Sequence, residues 1–206
     1  MKEINVLDID IDAFYNKVYM GKMTNVANIN KKDDYLIKDT VIKIFKNIKI
    51  KKNTNIEIFE NHDETFYYLN KIKENDNIIN LYTIDAHSDF KNFPVEKKLN
   101  EKEYNKPNET DWITYAFHFG FIKNMFLLLN REDVDNTHDL NENYTIYQSG
   151  NKINFYSQPL KNFDNWPEYF DYIDIIKSSD WCNSNDNDVN FLIDIIKSGN
   201  KDEFNK

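Results

Sequence analysis

One cysteine, four glycines and four prolines are all that this sequence of 206 residues spends on staples and turn-makers. The lone Cys182 excludes an internal disulfide and a multi-cysteine zinc site, and suits a reducing compartment. With glycine scarce, many turns fall to asparagine, which tolerates left-handed backbone. The abundance of Asn and Lys fits genomic base bias. No apolar run approaches the roughly 18 residues that span a bilayer, and no signal-peptide pattern precedes Val6. A cytoplasmic location is therefore expected. Positive charge is also short: a net charge of -9 argues against nucleic acid or an anionic membrane as the main partner.

What is present is enough for an ordered core. Hydrophobic residues make up 40% of the chain and aromatics 15%, and the length fits one domain over residues 1–206. Apolar spacing predicts strands at 4–12, 56–59, 78–84, 125–129 and 172–176, and a hairpin of 144–148 with 153–156. It predicts helices at 35–48, from Asn61 or Asp63 to about 72, from Thr110 to Met125, and at about 187–197. Strands alternating with helices give the expected class, an α/β domain with a mostly parallel sheet.

Two of these strands end in acids. The run Ile78-Ile79-Asn80-Leu81-Tyr82-Thr83-Ile84 leads into Asp85-Ala86-His87-Ser88-Asp89, and Val6-Leu7-Asp8-Ile9-Asp10-Ile11-Asp12-Ala13-Phe14 repeats the theme. Residues i, i+2 and i+4 of an extended strand share a face. Asp85, His87 and Asp89 would therefore converge, as would Asp8, Asp10 and Asp12. Carboxylates lined up between apolar neighbours repel and are costly to bury unless a cation lies between them. A third contribution, Glu60-Asn61-His62-Asp63-Glu64, falls where the strand 56–59 meets the next helix. His62 is a candidate ligand there, with Glu60 and Glu64 as outer acceptors or a general base.

Asp85-Ala86-His87-Ser88-Asp89 resembles the Asp-Ala-His-x-Asp motif of the arginase, agmatinase and ureohydrolase superfamily, and Asp10-Ile11-Asp12 resembles its Asp-x-Asp motif. Glu60-Asn61-His62-Asp63-Glu64 is similar to the Glu-x-His-x-Glu form of the UPF0489 branch, which includes the peptide arginases. Asp111-Trp112-Ile113-Thr114-Tyr115-Ala116 with Gly120, and Ser178-Ser179-Asp180-Trp181-Cys182, support the same branch. The resemblance touches residues 6–14, 58–66, 81–90, 111–121 and 172–196. It implies a three-layer α/β/α arginase-like domain, with Asp10, Asp12, His62, Asp85, His87 and Asp89 holding two Mn²⁺ ions. The Asp-x-Asp strand comes first here, unlike in ordinary arginases, which implies a rearranged strand order. Lys177 stands where a substrate-binding Glu would end a later strand.

The implied chemistry is hydrolysis of guanidino groups, turning arginine within a peptide into ornithine and urea. Hard, oxygen-rich ligation suits Mn²⁺. Glu64 and His118 are the candidates for the proton shuttle, and Glu60 or Glu64 for the guanidinium contact. His118 also reads as a core histidine among the aromatics of Tyr115-Ala116-Phe117-His118-Phe119. His138 is assigned no role. Two other readings stay open: hydrolysis of another C–N bond (a small guanidino compound or an amide), and a metal-stabilised binding module without turnover. The expected partner is an arginine-containing peptide; the sequence does not specify an oligomeric state.

Overall fold

β1 (Glu3–Asp10) is buried on both faces, with Val6, Leu7 and Ile9 inaccessible to solvent, which explains its near-continuous apolar run. This computed structural model describes residues 2–15, 35–46, 48–73, 77–87, 89–90, 106–129, 142–148, 150–160, 163–179, 182 and 184–199. Ser88, His138, Asp180 and Trp181 lie outside them. The other strands are β2 (Ile50–Phe59), β3 (Ile78–Asp85), β4 (Ile122–Leu129), β5 (Glu142–Gln148), β6 (Asn151–Pro159) and β7 (Phe170–Ile176). They form a seven-stranded sheet in the order β2-β7-β1-β3-β4-β6-β5. Neighbours run parallel except in the expected β5–β6 hairpin.

Helices cover both faces. Leu7 and Ile9 point toward α1 (Lys38–Phe45) and α4 (Asp186–Ser198), through Val41, Phe45, Val189 and Leu192. Ile4 and Val6 point toward α2 (Asp63–Ile72) and α3 (Trp112–His118), through Phe66, Leu69 and Ile113. The result is the expected three-layer α/β/α sandwich. By strand alternation Asp8 and Asp10 lie on the α2/α3 side.

Two side-chain rows cross the sheet on the α1/α4 side. Asn80 donates to Asn5, Asn124 to Asn80 and Asn154 to Asn124, at 3.0, 2.6 and 2.8 Å. One step up, Tyr82 stacks on Phe126 at 4.4 Å and Phe126 on Tyr156 at 4.8 Å. Such cross-strand pairs stabilise particular registers.

Two elements differ from expectation. The helix predicted to reach Met125 ends at His118, because Gly120 turns the chain with φ +67° and β4 begins at Ile122. A Cβ at Gly120 would also meet the Asn151 side chain at 2.9 Å. β2 begins at Ile50, well before Ile56, because it is an edge strand of the sheet and its polar half, Lys51 to Asn55, hides the alternation.

Candidate metal centre

Because β1, β2, β3 and β7 are parallel, their carboxyl ends share one rim of the sheet. β1 and β3 end in the same manner. Oδ1 of Asp10 accepts the backbone N–H of Asp12 at 3.0 Å, and Oδ1 of Asp85 accepts that of His87 at 2.7 Å. Each aspartate thereby folds the chain back, so that its second oxygen and residue i+2 converge. Convergence comes from these turns and not from continued strand, as alternation had suggested. Asp12 sits on a 3-10 turn (Ile11–Phe14), and Asp89 adopts φ +46°.

The six expected ligands come together. Within each of two groups, Asp10–His62–Asp85 and Asp12–Asp85–His87, the donor atoms lie within 4.8 Å of one another, and Asp85 belongs to both. Nδ1 of His62 lies 3.3 Å from Oδ2 of Asp10, 3.3 Å from Oδ2 of Asp85 and 2.8 Å from Oδ2 of Asp89. Nδ1 of His87 lies 3.1 Å from Oδ2 of Asp12. Asp10 also accepts the Ser178 hydroxyl at 2.6 Å, and Asp89 accepts the Trp112 indole N–H at 2.9 Å.

The electrostatics are those of a crowded anionic pocket. Burial and then Asp10 push Asp12 well above the usual carboxylate range, and burial and then Asp85 push Asp89 up to about 6. Burial would also raise Asp85, but the imidazoles of His62 and His87 reverse this and hold it well below normal. Burial would lower His87, yet Asp12 and Asp85 bring it up to about 12. His62 is likewise held high against burial, by Asp8 and then Asp89. Both oxygens of Asp12, Nδ1 of His62 and Oδ2 of Asp85 are buried without a hydrogen-bond partner. Buried carboxylate and imidazole atoms crowded together in this way, several without a well-formed hydrogen bond, fit a cation at their centre. The Cys182 thiol, raised by burial and by Asp12 and Asp10, offers no ready thiolate.

No family model, curated protein or solved structure matches this chain. Its α/β/α fold, mostly parallel sheet and two adjacent Asp/His groups that could hold divalent metal are consistent with the arginase and ureohydrolase superfamily in general. Among the described residues, no helix is long and apolar enough to cross a membrane.

The remaining candidates are placed less centrally. Oε2 of Glu64 accepts the backbone N–H groups of Glu60 and Asn61, at 3.0 and 3.1 Å, and so tethers the start of α2. Glu60 is exposed and pairs with Lys177 at 2.7 Å. His118 is a correction: it ends α3 just before Gly120 and β4, at the amino-terminal rim of the sheet. The cluster occupies the opposite rim, out of reach of a proton transfer.

Sequence reasoning missed Ser178, Trp112, Thr65 and Asp174. An acid inside the apolar run Ile173-Asp174-Ile175-Ile176 carries the signal that singled out Asp10, and it could have been read the same way. Asp174 is fully buried, and burial followed by Asp8 pushes it well above the carboxylate range. Ser178 and Trp112 carry no such signal, since only the folded chain brings them to the rim.

Proposed function

We propose that this protein is a dinuclear manganese hydrolase of guanidino groups, converting arginine residues in a peptide to ornithine with release of urea. The observation that carries the reading is that Asp85 belongs to both groups of buried donor atoms. Asp10, His62, Asp85 and Asp89 would hold one ion, and Asp12, Asp85 and His87 the other. A donor set of carboxylates and imidazoles without thiolate favours Mn²⁺. When bound, two such ions supply Lewis acidity that brings the pKa of water toward neutrality.

The rest of the chemistry falls to the chain. Oxygen from water joins the guanidinium carbon, the bond from that carbon to the substrate nitrogen breaks, and the nitrogen must gain a proton. Glu64, two residues beyond His62, is the carboxyl to carry it, with Oε1 left over from its tether to Glu60 and Asn61. Recognition of a planar cation calls for carboxylates, which accept parallel N–H bonds. Asp63, next to His62 in the chain, is raised by burial and then by the charge of Glu109, and these two acids are candidates for that contact beside Glu60 and Glu64. Glu60 could join them by releasing Lys177. The net charge of -9 favours a cationic side chain.

The test is incubation with Mn²⁺ and an arginine-containing peptide beside free arginine. The peptide should lose the mass of CH₂N₂ per arginine while urea appears. Turnover of free arginine alone would reverse the preference. Inactivity on both, with two ions bound, would favour a metal-stabilised module without turnover.

A further inference from the structure

His62 is engaged on both sides of its ring. Nδ1 faces the candidate metal centre, while Nε2 lies 3.1 and 3.0 Å from the two oxygens of Asp8. Asp8 is itself seated. The Thr65 hydroxyl lies between the two carboxylates, within hydrogen-bond reach of Oδ1 of Asp8 at 3.2 Å and of Oδ2 of Asp174 at 2.6 Å. Asp174 stands directly beside Asp8 in the register of β1 and β7. None of His62, Asp8, Thr65 and Asp174 is more than 3% exposed. Two carboxylates abreast in an interior are costly where apolar residues would pack as well. Their arrangement ends on one ring nitrogen.

We propose that Asp8, seated by Thr65 and Asp174, is a positioning residue for the ion that Asp10, His62 and Asp85 would hold. The inference rests on the metal reading above and extends it to a residue outside the ligand set. A neutral imidazole carries one N–H, and a carboxylate beside Nε2 keeps that hydrogen there. The lone pair of Nδ1 then points at the ion, and the ring cannot turn without losing Asp8. Thr65 and Asp174 act one step further out, fixing the carboxylate that fixes the ring. Because Asp8 lies against His62, its removal acts selectively on one of the two ions.

The experiment is a Mn²⁺ titration followed by the electron paramagnetic resonance signal of the free ion, with circular dichroism to confirm the fold. The variants are Asp8→Ala, Thr65→Val and Thr65→Ser. Wild type should bind two ions. Asp8→Ala and Thr65→Val should each weaken one of them by about 10- to 100-fold and leave the other unchanged. Thr65→Ser keeps the hydroxyl and should restore wild-type binding, which a merely structural role for the methyl and backbone would not predict. Should Asp8→Ala fail to fold, the near-isosteric Thr65→Val carries the same comparison. Wild-type affinity for both ions in folded Asp8→Ala or Thr65→Val overturns the proposal, as does equal loss of both. Failure of wild type to bind any ion would instead sink the metal reading itself, and this proposal with it.

Discussion

The Ser178 hydroxyl donates to Asp10 at 2.6 Å from a backbone held at φ +49°. Among the described residues, Ser178 and Asp89 are the non-glycine positions with positive φ, and both touch the same cluster. Left-handed backbone costs an L residue energy, and it persists where surrounding contacts demand it.

Glycine and alanine separate the two roles of Ser178. Ser178→Ala removes the hydroxyl but keeps the backbone cost, and should lose about 2 kcal/mol of stability. Ser178→Gly also relieves that cost, and should lose about 1 kcal/mol less than the alanine variant. Urea unfolding in the presence of a chelator reads the order; a glycine variant no more stable than the alanine one would remove the strain argument.

Asp85 and His87 should differ in how many ions they control. Asp85→Ala should abolish binding of both ions and all turnover, since its carboxylate serves both groups. His87→Ala should lose one ion preferentially. Phe66→Leu, by contrast, alters a site where Phe66 packs on Phe121 at 5.2 Å, and should cost about 1 kcal/mol of stability with ion binding intact. Calorimetric metal titration distinguishes the three; retention of two ions by Asp85→Ala would place the site elsewhere.

The metal-free protein should prefer acid, and ions should reverse that preference. Asp89, pushed up to about 6, keeps its proton in the fold above the pH near 4 where an unfolded chain releases it. His87, at about 12, stays protonated in the fold above the roughly 6.5 of an unfolded histidine. For both groups the folded state binds more protons, so stability falls as pH rises, over about pH 4 to 6 for Asp89 and from about pH 6.5 upward for His87. Ions require the deprotonated groups, so binding releases protons and tightens with pH. The rise in melting temperature on adding Mn²⁺ should therefore be larger near pH 8 than near pH 6, as scanning calorimetry can measure. A smaller rise at the higher pH would contradict this.

Trp112 should report the ions directly. Its ring lies 4.9 Å from that of His62, and its N–H donates to Asp89 at 2.9 Å. A paramagnetic ion held by His62 and Asp89 would lie close enough to quench indole emission. Mn²⁺ should dim the tryptophan fluorescence of wild type, and Trp112→Phe should lose most of this response while binding one ion about tenfold more weakly. An undiminished response in the variant would assign the signal to another tryptophan.

The residues that cluster at the rim were legible as a group because acids inside apolar runs have few other uses, and the runs around Asp10 and Asp85 are unbroken. Their mode of convergence was not legible: alternation predicts a common face, whereas each strand stops and its last aspartate caps the turn. The insertion of β7 between β2 and β1 is a matter of long-range pairing, on which local spacing is silent. The over-long helix after Thr110 arose because Phe119, Phe121, Ile122 and Met125 satisfy a helical period that Gly120 interrupts. His118 went wrong with it, since only the true end of α3 reveals which rim that residue occupies.

The asparagine row has a bearing on the opposite end of the sheet. Asn5 pairs with Asn80, and the pairing continues in step to Ile9 and Ile84. The same interval then separates Asn5 from Asp10 and Asn80 from Asp85. The amide row is a ruler: a slip of β3 by two residues, about 6.6 Å, would break the Asn5–Asn80 bond and carry Asp85 out of level with Asp10. Alignment of the two aspartates is thus set from the far edge, by side chains that never approach them.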